Sequence, residues 1–169
     1  MFVGHFALAF GAKAASPRMS LGALVAATMT LDLLWPVFLL LGVERAVVDP
    51  GNTAFTNLAF VSYPWSHSLL TALGWGALAG VVATTLTKDR STGWAVGALV
   101  VSHWVLDFAS HRPDMPVWPG GPKVGLGLWN SIVGTYVIEG SMYVASIVWL
   151  LREILPKRCS NRRLSMALI

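Results

Sequence analysis

The chain has 169 residues, of which 55% are hydrophobic and only 12% are charged, and its mean hydropathy is +0.63. A soluble domain carries about 25% charged residues, so this composition excludes an ordinary soluble protein and indicates one integral membrane domain. The formal charge of +4 does not indicate nucleic-acid binding, because the basic residues lie between apolar runs and in the C-terminal tail.

The apolar segments predict four transmembrane helices that follow a short N-terminal helix. Residues 2–12 are apolar but shorter than the roughly 20 residues that a span requires, so they predict a half-spanning or interfacial helix. Pro36 is expected to kink the first span. We therefore predict an all-α, polytopic membrane bundle in residues 1–155 and a basic tail in residues 156–169. The predicted spans cover residues 20–43, 67–87, 93–110 and 131–151.

The basic residues also predict the orientation of the bundle. They cluster before the first span, between the second and third spans, and after the fourth. Four spans place these three regions on one side, which the positive-inside rule makes cytoplasmic together with the C-terminus. The connections 44–66 and 111–130 then face outward. The second of them is long and rich in Pro and Gly, which favours a functional loop over the outer mouth of the bundle.

Ionisable residues inside a membrane span are costly and mark functional sites by default. His103 and Asp107 are four residues apart in the third predicted span, so a helix places both side chains on one face. Imidazole nitrogen and carboxylate oxygen are ligands that zinc accepts together. This pair therefore predicts part of a metal site, and the alternative is a hydrogen bond between helices.

Further polar residues fall at similar depths. With a rise of about 1.5 Å per residue, the predicted spans bring them to the middle and outer half of the bundle. Carboxylates that face one another without a cation repel or must be protonated. Their convergence favours a divalent metal over a proton or ion pathway and over a structural polar network. These residues are His5, Asp32, His67, His111 and Glu139.

The order of these residues resembles a known family. An early His5, Asp32 in the first span, Ser-His-Ser around His67, and His-x-x-x-Asp at His103 and Asp107 are similar to the LexA-binding, inner-membrane-associated hydrolases. These are small bacterial membrane-bound, metal-dependent proteins. The same order is more distantly similar to the ligand order of zinc-dependent phospholipases C. The resemblance implies a multi-pass protein of the bacterial inner membrane.

The resemblance covers about residues 1–112 and has two departures. The first span carries only Asp32, where the family tends to have a Pro-Asp pair and a second acid. Pro64 and Trp65 replace the basic residue that usually precedes the Ser-His-Ser motif. One ligand or substrate contact of the family is therefore absent here.

The expected function is metal-dependent hydrolysis of a lipid or lipid-linked (phospho)ester, reached from the outer side of the membrane. The main ligands of the ion are His67, His103 and Asp107, and zinc is the expected metal. His5 and Asp32 would bind a second ion or orient the first set, and His111 would add a ligand at the outer mouth.

The expected chemistry assigns roles to three further side chains. Asp32 or Glu139 would accept a proton from water. Arg112 would clamp a phosphate, because its guanidinium fork matches oxyanion geometry; the alternative is a local ion pair with Asp114. Two other functions stay open, a small permease or ion transporter with a midplane His/Asp site and a non-catalytic membrane scaffold.

Overall fold

The computed structural model describes residues 2–166, and it describes side-chain surroundings for residues 2–155. The described residues form seven α-helices, which confirms a mostly helical architecture, together with two small antiparallel hairpins and one 3-10 turn. The helices are α1 (Phe2–Ala15), α2 (Leu21–Thr28), α3 (Thr30–Leu40), α4 (Pro64–His67), α5 (Leu69–Thr87), α6 (Arg90–Ser110) and α7 (Ile132–Met166). The strands are β1 (Arg45–Val48), β2 (Leu58–Ser62), β3 (Met115–Pro116) and β4 (Lys123–Val124), and the 3-10 turn is Leu128–Asn130.

Three of these helices are long and apolar enough to cross a membrane, namely α5, α6 and α7 as far as Leu155. They contain 19, 21 and 24 residues in their apolar lengths. At about 1.5 Å per residue they are roughly 28–36 Å long, close to the ~30 Å thickness of a hydrocarbon core. Helices α2 and α3 pass the same test only as a pair, which is bent by 55°. The described chain thus has three candidate spans, or four if the bent pair is one span.

The bend between α2 and α3 falls at Met29 rather than at Pro36, where the sequence led us to expect it. Helix α3 is continuous through Pro36 to Leu40. The carbonyl oxygen of Thr28, at the end of α2, lies 2.7 Å from Nδ1 of His103 on α6. A side chain that inserts at a helix carbonyl is a recognised cause of a helix break. The break leaves Asp32 in the first turn of α3.

Helix α6 lies at the centre of the fold, because it contacts α5 on one side and also contacts α1, α2 and α3. Its contact with α5 depends on glycines. A Cβ atom at Gly80 would lie 2.8 Å from the carbonyl oxygen of Gly93, and one at Gly97 would lie 2.9 Å from that of Gly76. Small residues allow helix backbones to approach this closely in membranes.

The two polar connections are folded. The connection 44–66 forms the β1–β2 hairpin, in which Val48 pairs with Leu58, followed by the single turn of α4. The connection 111–130 contains the short β3–β4 pair and the 3-10 turn. Both connections pack at the same end of the bundle, since Leu70 at the start of α5 donates to the carbonyl oxygen of Val117.

Candidate metal centre

Four helices bring five of the predicted site residues together. Helices α1, α3 and α4 supply one residue each, and α6 supplies the i, i+4 pair. Two overlapping groups of three have ligand atoms that lie within 4.8 Å of one another, and both groups include His103. The first group is His5, His103 and Asp107, and the second is Asp32, His67 and His103.

Four atoms of this cluster are spaced as the ligands of one ion would be. Nε2 of His67 lies 3.4 Å from Oδ1 of Asp32 and 3.6 Å from Oδ2 of Asp107. Nε2 of His103 lies 3.6 Å from the same Asp32 oxygen and 3.2 Å from the same Asp107 oxygen. Ligands at about 2.0–2.2 Å around a tetrahedral ion are separated by about 3.3–3.6 Å. The four N···O separations therefore match those between neighbouring ligands of one ion.

The hydrogen bond at the other ring nitrogen of His103 fixes which nitrogen faces the cluster. A carbonyl oxygen can only accept, so Nδ1 of His103 donates to the Thr28 carbonyl oxygen. In the neutral ring, Nε2 then carries a lone pair. Nε2 is buried and makes no hydrogen bond within the described residues, although Asp107 Oδ2 is 3.2 Å away. The contact has hydrogen-bond length without hydrogen-bond alignment, as expected of two ligands of one ion.

His67 is arranged in the same way through a different partner. Its Nδ1 lies 2.7 Å from Oγ of Ser66, and that hydroxyl donates its only proton to Oε2 of Glu44 at 2.7 Å. The hydroxyl must therefore accept from Nδ1 of His67. The lone pair of His67 is left on Nε2, which faces Asp32 and Asp107.

The electrostatics of the cluster call for a cation. Two imidazole lone pairs and two carboxylate oxygens face a common centre, and His67, His103 and Asp107 are buried. Like charges at such distances in a low-dielectric interior repel strongly. A divalent ion held by His67, His103 and Asp107, with the Asp32 carboxylate beside it, would offset this repulsion, and a mixture of nitrogen and oxygen ligands suits zinc.

His5 lies beside this set. Its Nε2 is 3.2 Å from Oδ1 of Asp107, the oxygen that does not face His67 and His103. Its ring stacks on that of His103 with centroids 3.7 Å apart and planes 5° apart. The contact of Nε2 of His5 is thus with the outer oxygen of Asp107, while Nε2 of His103 lies beside the inner one. The geometry favours His5 as a partner that orients the Asp107 carboxylate.

Asp32 is the partly exposed side chain of the cluster. Its side chain is 33% exposed, compared with 4% for Asp107. The cluster is consequently closed on the α6 side and open on the α3 side. Water or a substrate would approach along Asp32.

The structure does not bring His111 and Arg112 to the cluster. Nδ1 of His111 lies 3.0 Å from Oδ1 of Asp114, and Nε of Arg112 lies 3.4 Å from Oδ2 of the same carboxylate. The hydroxyl of Tyr63 donates to Asp114 as well. Burial, with the nearby Asp114 carboxylate, raises the pKa of Tyr63 and keeps this donor protonated. Arg112 thus makes the local ion pair that was the alternative to phosphate binding.

Glu139 lies at the N-terminus of α1. Its Oε2 accepts hydrogen bonds from the backbone N–H groups of Val3, at 2.6 Å, and Gly4, at 3.3 Å. A carboxylate is favourable at this end of a helix, where N–H groups are unpaired and the helix dipole is positive. Glu139 therefore fixes the helix that carries His5, and among the described residues no hydrogen bond or ion pair joins it to Asp32, His67 or His103.

Three residues that hold the cluster in place were missed by the sequence analysis. Thr28 supplies a carbonyl oxygen to His103, and Ser66 with Glu44 supplies the hydrogen bonds to His67. The Ser-His-Ser motif was a usable signal for Ser66. Glu44 lies 22 residues from Ser66, and no local pattern links the two.

No family model, curated protein or solved structure matches the chain. The case for a metal centre consequently rests on the distances, hydrogen bonds and burial of the residues described above.

Proposed function

We propose that the protein is a membrane-embedded, metal-dependent hydrolase. The observation that carries this proposal is the pair of histidines whose Nδ1 atoms are both engaged, so that both Nε2 lone pairs face the Asp32 and Asp107 carboxylates. A divalent ion at this centre would polarise an ester oxygen and lower the pKa of a water molecule towards neutrality.

The residues of the cluster take different roles in the proposal. His67, His103 and Asp107 are buried and hold the ion, and His5 orients Asp107. Asp32, on the open side, accepts the proton of the attacking water. The water oxygen then bonds to the phosphorus or acyl carbon, the ester bond breaks, and the leaving alkoxide takes up a proton to become an alcohol.

A lipid or lipid-linked ester is the proposed substrate class. An apolar groove of about 520 Å³ lies between the end of α3, α4 and α5, and its lining includes Phe38, Trp65, Gly74 and Leu78. Trp65 comes two residues before His67, and its carbonyl oxygen accepts a hydrogen bond from the Trp75 indole. The groove would hold an acyl chain while the ester reaches the open side of the cluster at Asp32.

The proposed location is the bacterial inner membrane, with the C-terminus in the cytoplasm. The three to four candidate spans support a membrane protein. The distribution of Lys and Arg between the spans supports the orientation. With that orientation, the α4 end of the bundle faces outward, and the substrate enters from the outer side.

The test compares purified wild type with Asp32→Asn for metal content and for turnover of mixed bacterial lipids in liposomes. We expect about one equivalent of zinc in both proteins, because three buried ligands remain in the variant. Turnover should fall by about 10²–10⁴-fold, the usual contribution of a general base. Wild-type protein without metal, or Asp32→Asn with full turnover, would refute the proposed mechanism.

A small ion transporter is the second candidate, and the break between α2 and α3 favours it. Discontinuous helices whose freed carbonyls lie near polar side chains are typical of transport sites. The same liposomes distinguish the two functions, since metal flux without lipid turnover would identify a transporter.

A further inference from the structure

We propose that Glu44 and Ser66 are positioning residues that hold the ring proton of His67 on Nδ1 and thereby strengthen the binding of a cation at Nε2. This inference rests on the proposed metal centre. The inference adds two residues that act from behind His67, through its Nδ1 atom, rather than as ligands.

Glu44 is a buried carboxylate whose partners are all hydrogen-bond donors from one short segment. Its Oε1 accepts from the backbone N–H groups of Trp65 and Ser66, both at 2.8 Å, and its Oε2 accepts from the Ser66 hydroxyl at 2.7 Å. Glu44 is only 4% exposed. Among the side chains that the structure describes, no cation contacts it. Within the described part of the chain, its negative charge is therefore stabilised by these three hydrogen bonds alone.

The Ser66 hydroxyl transmits the effect of this charge to His67. Because the hydroxyl donates to Glu44, it can only accept from Nδ1 of His67. The lone pair of the ring is thereby held on Nε2, towards Asp32 and Asp107. A carboxylate behind a ligating histidine orients the ring and raises its basicity, and loss of such a partner costs about 10–100-fold in metal affinity.

Two functions of Glu44 can be separated by substitution. Its contacts with backbone N–H groups stabilise the N-terminal end of α4, whereas only the Ser66 hydroxyl reaches His67. Ser66→Ala removes the link to His67 and leaves the backbone contacts in place. Ser68→Ala is a matched control, because Ser68 flanks His67 on the other side, is equally buried, and bonds to Thr71 instead.

Glu44→Gln provides a second and sharper variant. The amide oxygen of the new side chain can keep the backbone N–H contacts, but its NH₂ group would face the Ser66 hydroxyl. The hydroxyl would then accept from the amide and donate to Nδ1 of His67. This reversal would place the ring proton on Nε2, where a metal ligand must have a lone pair.

The experiment measures Zn²⁺ and Co²⁺ affinity of the full-length protein in detergent by competition with a chelator, with the visible Co²⁺ spectrum as the signature of the site. We expect Ser66→Ala to weaken metal binding by about 10–100-fold, and Ser66→Thr, which keeps the hydroxyl, to retain most of the wild-type affinity. Ser68→Ala should bind like wild type. Glu44→Gln should bind at least as weakly as Ser66→Ala. The thermal midpoint of each variant shows whether it is folded. If Ser66→Ala is not folded, the zinc affinity of Glu44→Gln tests the positioning role instead.

The outcomes separate this inference from the proposed function. If wild type binds zinc and both Ser66→Ala and Glu44→Gln bind it equally well, the positioning role is refuted while the metal centre stands. If wild type binds no zinc or cobalt, the metal centre and the positioning role are both refuted.

Discussion

At the scale of single residues, the Nδ1 atoms of His67 and His103 decide how the cluster can bind a cation. Here each ring uses Nδ1 for a partner outside the cluster and directs Nε2 at carboxylates. This arrangement is the one in which a neutral histidine binds an ion.

Asp107→Asn is expected to abolish metal retention. The substitution keeps the size of the side chain and removes the charge that balances the ion, and Asp107 faces both His67 and His103. Asp114→Asn is the control, because Asp114 is also a buried aspartate beside a histidine but lies outside the cluster. Elemental analysis should find about one equivalent of zinc in wild type and Asp114→Asn. Equal zinc in Asp107→Asn would contradict the ligand assignment.

The pair predicted most directly from sequence is the one whose relation is local, whereas His5, Asp32 and His67 were added from their depth and from the order of the motifs. His103 and Asp107 belong to one helix, so their spacing alone placed them together. The partners of Glu139 lie 135 and 136 residues away, and such a contact depends on how α7 packs on α1. His111 was assigned to the site by depth and Arg112 by the match of its guanidinium to a phosphate, yet the Asp114 carboxylate, only two to three residues away, engages both.

At the scale of elements, Asp32 and His67 each lie next to an interruption of regular helix. The break at Met29 places Asp32 in a first turn, and the short α4 ends at His67 before α5 begins. Hydropathy predicted α5, α6 and the apolar part of α7 to within a few residues, because a membrane span has a required length. It could not place the break, since that depends on the Thr28–His103 contact between α2 and α6.

Gly74→Leu tests whether the groove beside α4 binds an acyl chain. Gly74 lines the groove, and a Cβ atom there would have nothing within 4 Å, so a larger side chain fills the groove without a clash. We expect turnover of long-chain lipids to fall several-fold, with zinc content unchanged. Gly140→Leu on α7 is the control, because a Cβ atom there would likewise have nothing within 4 Å and the position does not line the groove. Unchanged turnover by Gly74→Leu would exclude the groove as a substrate site.

At the scale of the whole molecule, one ion would connect four separate helices. Its ligands and their immediate partner come from α1, α3, α4 and α6. An ion that binds only the folded protein stabilises it by about 2.7 kcal/mol when its concentration is 100 times the dissociation constant. Metal binding and bundle stability should therefore be coupled.

Removal of the metal is expected to lower the thermal midpoint in detergent. For a chain of this size, the stabilisation above corresponds to a decrease of about 5–10 °C. Re-addition of zinc should restore the midpoint. The Asp107→Asn variant should show neither change, so a chelator effect of equal size in that variant would indicate an action unrelated to the site.

The orientation of the bundle decides which side of the membrane supplies the substrate, and the chain contains a single thiol that can report it. Cys159 lies in the basic tail, beyond the residues whose side chains the structure describes. Because the distribution of Lys and Arg predicts a cytoplasmic tail, a membrane-impermeant maleimide should label Cys159 in permeabilised cells and leave it unlabelled in intact cells. Cys159→Ser provides the background. Labelling in intact cells would reverse the bundle, turn the open side at Asp32 towards the cytoplasm, and require a substrate from the inner leaflet.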